Sequence, residues 1–323
     1  MKIVDFTATH IEQATHIAMQ NYNEERGFVP ALPVVEKLPD LSDIANNRLG
    51  VAAIDGEKLV GFMCWEGPWD NHWGLCKGAW SPPHGNGAVK RGRVQIYDKL
   101  YQAAAEKLVC EKVFSHAVAL YAHDEDAKEA FFQNGFGGRC VDAIRETIAI
   151  PTPVCEDIIF RQATVEHAEA ITTMSNNLRG HLRSSPMFMP CSEVDTIAGT
   201  AKDIESGEIQ YFVAIKKSQI VAYYCIKKGG ENFASNDATV MNICGAYALP
   251  KIRGTGISVG LLSWLMAWLR ERGYPRCGVD FECFNYTARN FWLRHFAAYT
   301  NSVARRIDER VNLSSTNSHT NGG

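Results

Sequence analysis

A chain of 323 residues, 46% hydrophobic and 21% charged, has the composition expected of a globular protein and is long enough for two domains. The net charge of −3 and the lack of any basic stripe or zinc-finger spacing argue against a nucleic acid partner. No apolar run approaches the length of a membrane span, and the N-terminus lacks the apolar core of a signal peptide. We therefore expect a cytoplasmic protein without a membrane partner.

The cysteines and histidines do not form a recognisable metal-binding or disulfide pattern. The ten cysteines are scattered without a Cys-x-x-Cys pair, and several lie in apolar strand-like runs, so we expect buried, reduced thiols. The ten histidines form no His-x-x-x-His pairing, so no metal is predicted.

The first half of the chain shows an ordered series of strand-like and helix-like patterns. Alternating apolar residues predict strands, and apolar residues three or four positions apart predict helices. The predicted strands are residues 2–6, 51–54, 59–65, 75–80 and 114–119, and the predicted helices are residues 11–20, 94–108 and 124–134. A glycine-rich loop is predicted at 82–90.

The second half repeats this order and therefore predicts tandem copies. Its predicted strands are residues 158–161, 210–215, 220–226, 239–249 and an edge strand at 301–308, and its first helix is predicted at 166–178. The proline-bearing segment 150–154 continues neither a helix nor a central strand, which predicts a linker. We thus predict domains at 1–150 and 151–312, with a disordered polar tail at 313–323.

The segment from Leu249 to Leu262 joins a buried strand to an amphipathic helix through a glycine-rich turn. The first amides of a helix lack intrahelical partners and carry partial positive charge, so an anion binds well there. Gly254 and Gly256 allow the backbone to approach a phosphate, and Arg253 can pair with one. No Gly-Lys-Ser/Thr follows, which excludes a P-loop, and the order of elements does not fit a dinucleotide fold.

Two motifs in this half carry a family resemblance. The run Arg253-Gly-Thr-Gly-Ile-Ser258 resembles the acyl-CoA loop of the GNAT superfamily of N-acetyltransferases. About thirty residues later, the run from Asn285 to Trp292 resembles the family's Asn-x-x-Ala-x-x-Phe-Tyr helix. The resemblance implies an α/β fold of the α+β type, with two tandem GNAT-like domains, each a mixed, mostly antiparallel twisted sheet flanked by helices.

The first copy retains only part of this pattern. Residues 127–136 resemble the Ala-x-x-Phe-Tyr-x-x-x-Gly-Phe helix and turn of the family, whereas the loop at 82–90 has no arginine at the matching position. We therefore expect a degenerate, mainly structural N-terminal domain and an intact C-terminal one. His84, Lys90 and Arg91 are the residues there that an anion could still meet.

The resemblance implies acetyl-CoA as co-substrate and direct transfer of its acetyl group to a primary amine of a small molecule, or to an aminoacyl or peptide N-terminus. An oligomer is possible. Alternatives are a non-catalytic acyl-CoA-binding or regulatory protein, a structural double domain, and transfer of longer acyl or aminoacyl groups. The residues implied to bind the cofactor are Ala246, Ala248, Leu249, Arg253, Gly254, Thr255, Gly256, Ile257, Ser258, Asn285, Arg289 and Trp292.

The catalytic groups are less well defined by the motifs. Trp292 stands where the family has a tyrosine that protonates the leaving thiolate, so Tyr286 and Tyr299 are the candidate acids. Asp280 and Glu282 lie two residues apart on one predicted strand and so face the same way, with Glu282 the preferred base. Cys244 is a less favoured covalent nucleophile because no histidine is linked to it in sequence. The acceptor site is expected near residues 179–205.

Overall fold

The computed structural model describes residues 1–152 and 157–311. Two compact units are present. The first comprises Met1–Pro30, Val34–Val141 and the chain from Ala298 onward, and the second comprises Ala31–Pro33 and Asp142–Ala297.

The first unit begins with strand, helix and hairpin, as predicted, and contains two sheets. Its strands are β1 (Lys2–Asp5), β2 (Val51–Asp55), β3 (Lys58–Met63), β4 (Glu66–Trp69), β5 (Lys77–Ser81), β6 (Asn86–Ala88), β7 (Val113–Tyr121) and the first half of β8 (Gly137–Glu146). Its helices are α1 (Ile11–Phe28), α2 (Ser42–Asn46), α3 (Arg93–Cys110) and α4 (Glu125–Gln133). One sheet has the order β1-β2-β3-β6, and β5 lies between β4 and β7 in the other.

Helix α3 supplies most of the core of the first unit. Its buried face has the four-residue repeat Ile96, Leu100, Ala104 and Leu108, which places these side chains in one row along the helix. They pack against the strands together with the ring of Phe131 from α4. The predicted helix 94–108 is thus present, with one and two extra residues at its ends.

The second unit repeats the same series of elements. Its strands are β9 (Ile158–Gln162), β10 (Gln210–Lys216), β11 (Gln219–Lys228), β12 (Val240–Ala248) and β13 (Arg276–Glu282), and its helices are α5 (Ala168–Arg183), α6 (Ile197–Ser206), α7 (Ile257–Glu271) and α8 (Tyr286–Trp292). The sheet order is β13-β12-β11-β10-β9, antiparallel except for the parallel pair β12 and β13. The mixed α/β class with tandem copies is confirmed.

The two units do not follow the predicted contiguous ranges 1–150 and 151–312. Strand β14 (Ala297–Arg306) pairs with β7, from Thr300 opposite Tyr121 to Arg306 opposite Ser115, and so belongs to the first unit. Conversely, the chain from Asp142 to the predicted linker belongs to the second unit. Alternation of apolar residues identifies a strand, but it does not specify which sheet edge the strand joins.

Two further elements differ from the sequence prediction. The predicted loop 82–90 contains β6, which pairs antiparallel with β3. Helix α5 extends to Arg183, and α6 overlaps the segment 179–205 that was expected to shape the acceptor site as loop. Both errors arise because short or polar elements carry too few apolar residues to show a period.

Parts of the predicted linker and all of the predicted tail, 313–323, lie outside the described residues, as does Cys155. Within the described part of the linker, Ile150 is buried and its carbonyl accepts a hydrogen bond from the Ser263 hydroxyl at 3.1 Å. The cysteines in the described ranges are free thiols. Across these same ranges, no helix combines the length and apolar character needed to cross a membrane.

The packing of α3 on β3 leads to a stability prediction at Gly61. A Cβ added there would lie 2.5 Å from a methyl carbon of Ile96 and 3.2 Å from the Gly87 carbonyl oxygen. We expect Gly61→Ala to lower the free energy of unfolding by about 1–3 kcal/mol, as overpacking does. Gly27→Ala is the matched control, because this exposed position near the end of α1 has no atom within 4 Å of the added Cβ.

The control substitution is expected to leave stability unchanged or to raise it by up to about 1 kcal/mol, since alanine favours a helix over glycine. Urea denaturation of both variants measures the difference. Equal stability of the two variants would contradict the close packing of α3 against β3.

Candidate functional site

Strands β12 and β13 diverge at the centre of the second unit. They pair in parallel from Val240 opposite Arg276 to Ile243 opposite Val279. Beyond that point β12 continues to Ala248 and pairs with β11, whereas β13 continues to Glu282 and leads into α8. The parting opens a wedge between the two strands, and the edge of β12 that faces it carries backbone groups able to pair with an extended ligand.

The segment after β12 forms the predicted glycine turn. A 3-10 turn at Pro250–Ile252 leads to Gly254 and Gly256, whose φ angles of 79° and 86° favour glycine. Gly256 is the N-cap residue of α7, and among the described residues no side chain caps this helix. The first amides of α7 are therefore available to an anion.

These elements border a cavity of about 860 Å³. A volume of this size accommodates a large organic ligand. The cavity is lined on the side of β12 and the turn by Ala246, Tyr247, Ala248, Arg253, Gly254, Thr255, Gly256 and Ser258, and on the opposite side by Leu178, His181, Asn285, Tyr286, Ala288 and Trp292.

Arg253 is fixed at the edge of the cavity by its neighbours on β12. Its Nε donates to the Ala248 carbonyl oxygen at 3.2 Å, and its guanidinium lies 5.5 Å from the centre of the Tyr247 ring. These contacts orient the planar guanidinium beside the glycine turn. Arg253 therefore adds positive charge at the same place as the start of α7.

The opposite wall contains the predicted residue Asn285 and a residue that the sequence prediction missed. Asn285 caps α8, accepting from the Ala288 amide at 3.3 Å, and lies close to His181, with 3.4 Å between Asn285 Oδ1 and His181 Nε2. His181 was missed because its segment was predicted as loop. Its spacing of three residues from Leu178 was the available signal, since both residues face the cavity from α5.

Three of the residues predicted to bind the cofactor are not among those that line the cavity. Leu249 packs against the core beneath α5, and Ile257 is buried in the core. Arg289 is held on α8 by a hydrogen bond from Nη1 to the Cys283 carbonyl oxygen at 3.0 Å.

Trp292, which stands where the family motif has a tyrosine, and Ser258 both lie at the cavity wall. Trp292 is almost fully buried and packs beside Tyr224, with ring centres 5.8 Å apart. The Tyr224 hydroxyl donates to the Ser258 carbonyl oxygen at 2.9 Å. This bond ties β11 to the first turn of α7, and burial of the hydroxyl raises the pKa of Tyr224 far above its usual value.

The four predicted catalytic residues are not brought together. Tyr286 lines the cavity and is well exposed, whereas Tyr299 is buried in β14 and is not among the lining residues. Asp280 and Glu282 lie on β13 with buried Phe281 between them, so they share a face as predicted. Neither carboxylate is among the residues that line the cavity.

The carboxyl group of Asp280 has an unusual electrostatic environment. It is the first residue of β13 beyond the last pair with β12 and keeps an exposed surface. Partial desolvation of its carboxyl group raises the pKa of Asp280 to about 6, with Glu231 raising it further and Lys227 opposing. The carboxyl group therefore exchanges its proton near neutral pH.

The charged residues of the predicted acceptor segment are already bound within it. Asp195 accepts from Arg179, at 2.7 Å from Nη2, and from Ser175, and this pairing holds the pKa of Asp195 below its usual value. Arg183 donates to the Cys191 carbonyl oxygen. Asp195 and Arg183 thus maintain the shape of the segment.

In the first unit, the segment that corresponds to the glycine turn is shorter, and the arginine at the start of its helix is already paired. Only Val89 to Gly92 separate β6 from α3, against eight residues between β12 and α7. Arg93, at the start of α3, is buried and forms ion pairs with Glu24 and Asp124, at 2.9 Å and 3.0 Å from Nη1. The Arg93 guanidinium is thus already paired with two carboxylates.

Comparison with known proteins finds a family match within the second unit. Residues 181–297 match the model of the acetyltransferase (GNAT) family. A GCN5-related N-acetyltransferase from Sphaerobacter thermophilus matches with a TM-score of 0.55 and 12% identity, over 94% of this chain and 95% of that one. No curated protein matches the chain.

Two other structures align over almost the whole chain with lower scores. A GNAT-family acetyltransferase from Colwellia psychrerythraea gives a TM-score of 0.47 at 14% identity, over 95% of this chain and 100% of that one. A tandem GNAT protein from the clavulanic acid biosynthesis pathway gives 0.43 at 13% identity, over 95% and 98%. The Sphaerobacter structure, with a TM-score above 0.5, supports a shared fold.

The family match lies within the second unit, and the likeness to the Sphaerobacter structure shows a shared fold.

The raised pKa of Asp280 predicts a dependence of stability on pH. The folded protein holds this proton more tightly than the unfolded chain does, so the contribution of Asp280 favours folding at low pH and is lost as pH rises through about 6. We expect Asp280→Asn to increase the free energy of unfolding relative to wild type more at about pH 8 than at about pH 4.5.

Urea denaturation at both pH values measures this difference. Glu57→Gln, in the exposed turn between β2 and β3, controls for the loss of one negative charge. A gain from Asp280→Asn that is the same at both pH values would contradict the desolvated environment.

Proposed function

We propose that the second unit uses acetyl-CoA to acetylate a primary amine of a small molecule or of an aminoacyl or peptide N-terminus, by direct transfer. The observation that carries this proposal is the cavity of about 860 Å³ between the end of β12 and helix α8, which extends to the uncapped start of α7. The edge of β12 that is not paired with β13 suits an extended pantetheine arm, and the glycine turn suits a pyrophosphate.

The residues of this chain supply a fitting binding site. The amides that follow Gly256, together with Arg253, would hold the pyrophosphate. Ala246 and Ala248 line the cavity from β12 with small side chains, so their backbone groups can pair with the pantetheine amides. Bound acetyl-CoA supplies the reactive thioester.

Proton transfers complete the chemistry. The amine must be neutral to attack the thioester, and the departing thiolate is stabilised by a proton donor. Tyr286 is the proposed donor, because it is the candidate tyrosine that lines the cavity. His181 lines the cavity from α5 and contributes a second group able to bond there.

Asp280 is the better supported of the two predicted bases. It stands at the position where β13 leaves β12, and its pKa of about 6 suits proton exchange near neutral pH. We propose that it accepts the proton through water, since its side chain does not line the cavity itself. The preference for Glu282 that the sequence favoured rests on strand alternation alone.

Arg253 provides the test of cofactor binding. Arg253→Glu replaces an attraction for phosphate by a repulsion, so we expect the Michaelis constant for acetyl-CoA to rise at least about 10- to 100-fold, the range of a charge-assisted hydrogen bond. A thiol-release assay across polyamines, amino acids, aminoglycosides and peptides gives the measurement.

Lys251→Glu is the matched control, because it makes the same charge change two residues away, where Lys251 Nζ contacts Gln219 at 3.2 Å outside the cavity. We expect it to change the constant by less than about threefold. Equal effects of the two variants would show that the turn is not the pyrophosphate site. Acetyl-CoA binding without turnover of any amine would instead favour the non-catalytic alternative.

The pH profile tests the base. If Asp280 accepts the proton, kcat/KM in the wild type increases as pH rises through about 6, because only the carboxylate is active. We expect Asp280→Asn to lower kcat about 10²- to 10⁴-fold and to remove that limb of the profile. Glu282→Gln is the comparison, and a loss of the limb in that variant alone would transfer the role to Glu282.

A further inference from the structure

Two cysteines on neighbouring strands of the second unit lie close enough to react with each other. Cys225 on β11 and Cys244 on β12 have their sulfur atoms 3.6 Å apart, within hydrogen-bonding distance. Both are free thiols. The mechanism proposed above uses neither of them.

A β-bulge creates this arrangement. Cys225 lies opposite Gly245 and Ile226 lies opposite Ile243, so Cys244 is the extra residue of β12. In a regular ladder, successive side chains point to opposite faces of the sheet. The bulge turns Cys244 towards the face occupied by Cys225, as bulges commonly re-aim a side chain.

Glycine at position 245 leaves the space that the pair needs. A Cβ added at Gly245 would lie 2.7 Å from Cys225 Sγ, well inside the contact distance. Any other residue would therefore displace the sulfur of Cys225. The close approach of the two sulfurs thus depends on Cys244 as the extra residue of the bulge and on the absence of a side chain at Gly245, opposite Cys225.

The two thiols differ in exposure, as an attacking and a resolving thiol do. Cys244 is exposed, whereas Cys225 is buried. The hydrogen bond with Cys225 and the charge of Lys227 lower the pKa of Cys244, against opposing effects of burial and of Asp280. Burial and the interaction with Cys244 raise the pKa of Cys225. Thiolate character is therefore concentrated on the accessible sulfur.

We propose that Cys225 and Cys244 form a redox-modification site that small disulfides of the glutathione class oxidise to an internal disulfide. The Cys244 thiolate attacks one sulfur of the small disulfide, forms a mixed disulfide and releases one thiolate. Cys225 then gives up its proton and attacks the Cys244 sulfur, and the second small thiol leaves with that proton. The protein loses two hydrogens and the small disulfide becomes two thiols.

The geometry permits the bond with a small adjustment. The sulfurs must approach from 3.6 Å to a bond length of about 2 Å, and residues on adjacent strands fall within the Cα separation that disulfides span. Cys244 directly follows Ile243, the last residue of β12 paired with β13. Oxidation therefore fixes the bulge at the mouth of the wedge.

A consequence for activity rests on the proposed function. Fixing the bulge alters the strand edge that leads to Ala246, so we expect the oxidised protein to turn over acetyl-CoA at least about tenfold more slowly than the reduced protein, with recovery on addition of dithiothreitol. This result is separate from the disulfide itself, which mass spectrometry detects whether or not the protein is an acetyltransferase.

The test treats the full chain with oxidised glutathione and maps its peptides by mass spectrometry without reduction. In the wild type we expect a peptide pair linked through Cys225 and Cys244 and little stable glutathione at either position. Cys225→Ser removes the resolving thiol, so glutathione should remain attached to Cys244. Cys244→Ser should leave Cys225 unmodified.

Cys110→Ser is the matched control, because Cys110 is an exposed cysteine of α3. This variant should form the linked pair as fully as the wild type does. Stable glutathione on Cys244 in the wild type, to the same extent as in Cys225→Ser, would overturn the proposal. A linked pair without any change in turnover would leave the modification site standing and remove its effect on activity.

Discussion

The parting of β12 from β13 is the constraint on which the rest of the site depends. A parallel pair buried within a sheet satisfies its backbone groups by pairing along its length, so an early end to that pairing leaves polar backbone groups that need other partners. Here the pairing ends at Ile243 and Val279. One strand then leads to the glycine turn and the other to α8, so both walls of the cavity follow from one interruption in the ladder.

The first unit shows how the same parting can be closed without a ligand site. There β5 pairs with β7, whereas β6, which follows it, pairs with β3. The Asn86 side chain donates hydrogen bonds to the carbonyl oxygens of Pro82 and Ala119, at 2.9 Å and 3.2 Å. Together with the ion pairs of Arg93, these contacts supply internally what a ligand would supply in the second unit.

The sequence predicted what depends on local pattern and missed what depends on long-range pairing. The turn at Gly254 and Gly256 was predictable because positive φ angles and a following helix each leave a local signature. The pairing of β14 with β7 was not predictable, because the alternation of apolar residues does not specify which strand will be the partner. His181 was missed for a related reason, since the polar end of α5 reaches the cavity only once Asn285 is folded opposite to it.

The bulge at Cys244 connects these observations. A strand that must leave its parallel partner while keeping its antiparallel one has to change its twist at that point, and an extra residue is the usual means. Cys244 is that residue, Gly245 accommodates the sulfur of Cys225, and Asp280 stands beside them where β13 departs. The irregularity that opens the wedge therefore also concentrates the reactive thiol and the carboxyl group with the raised pKa at its mouth.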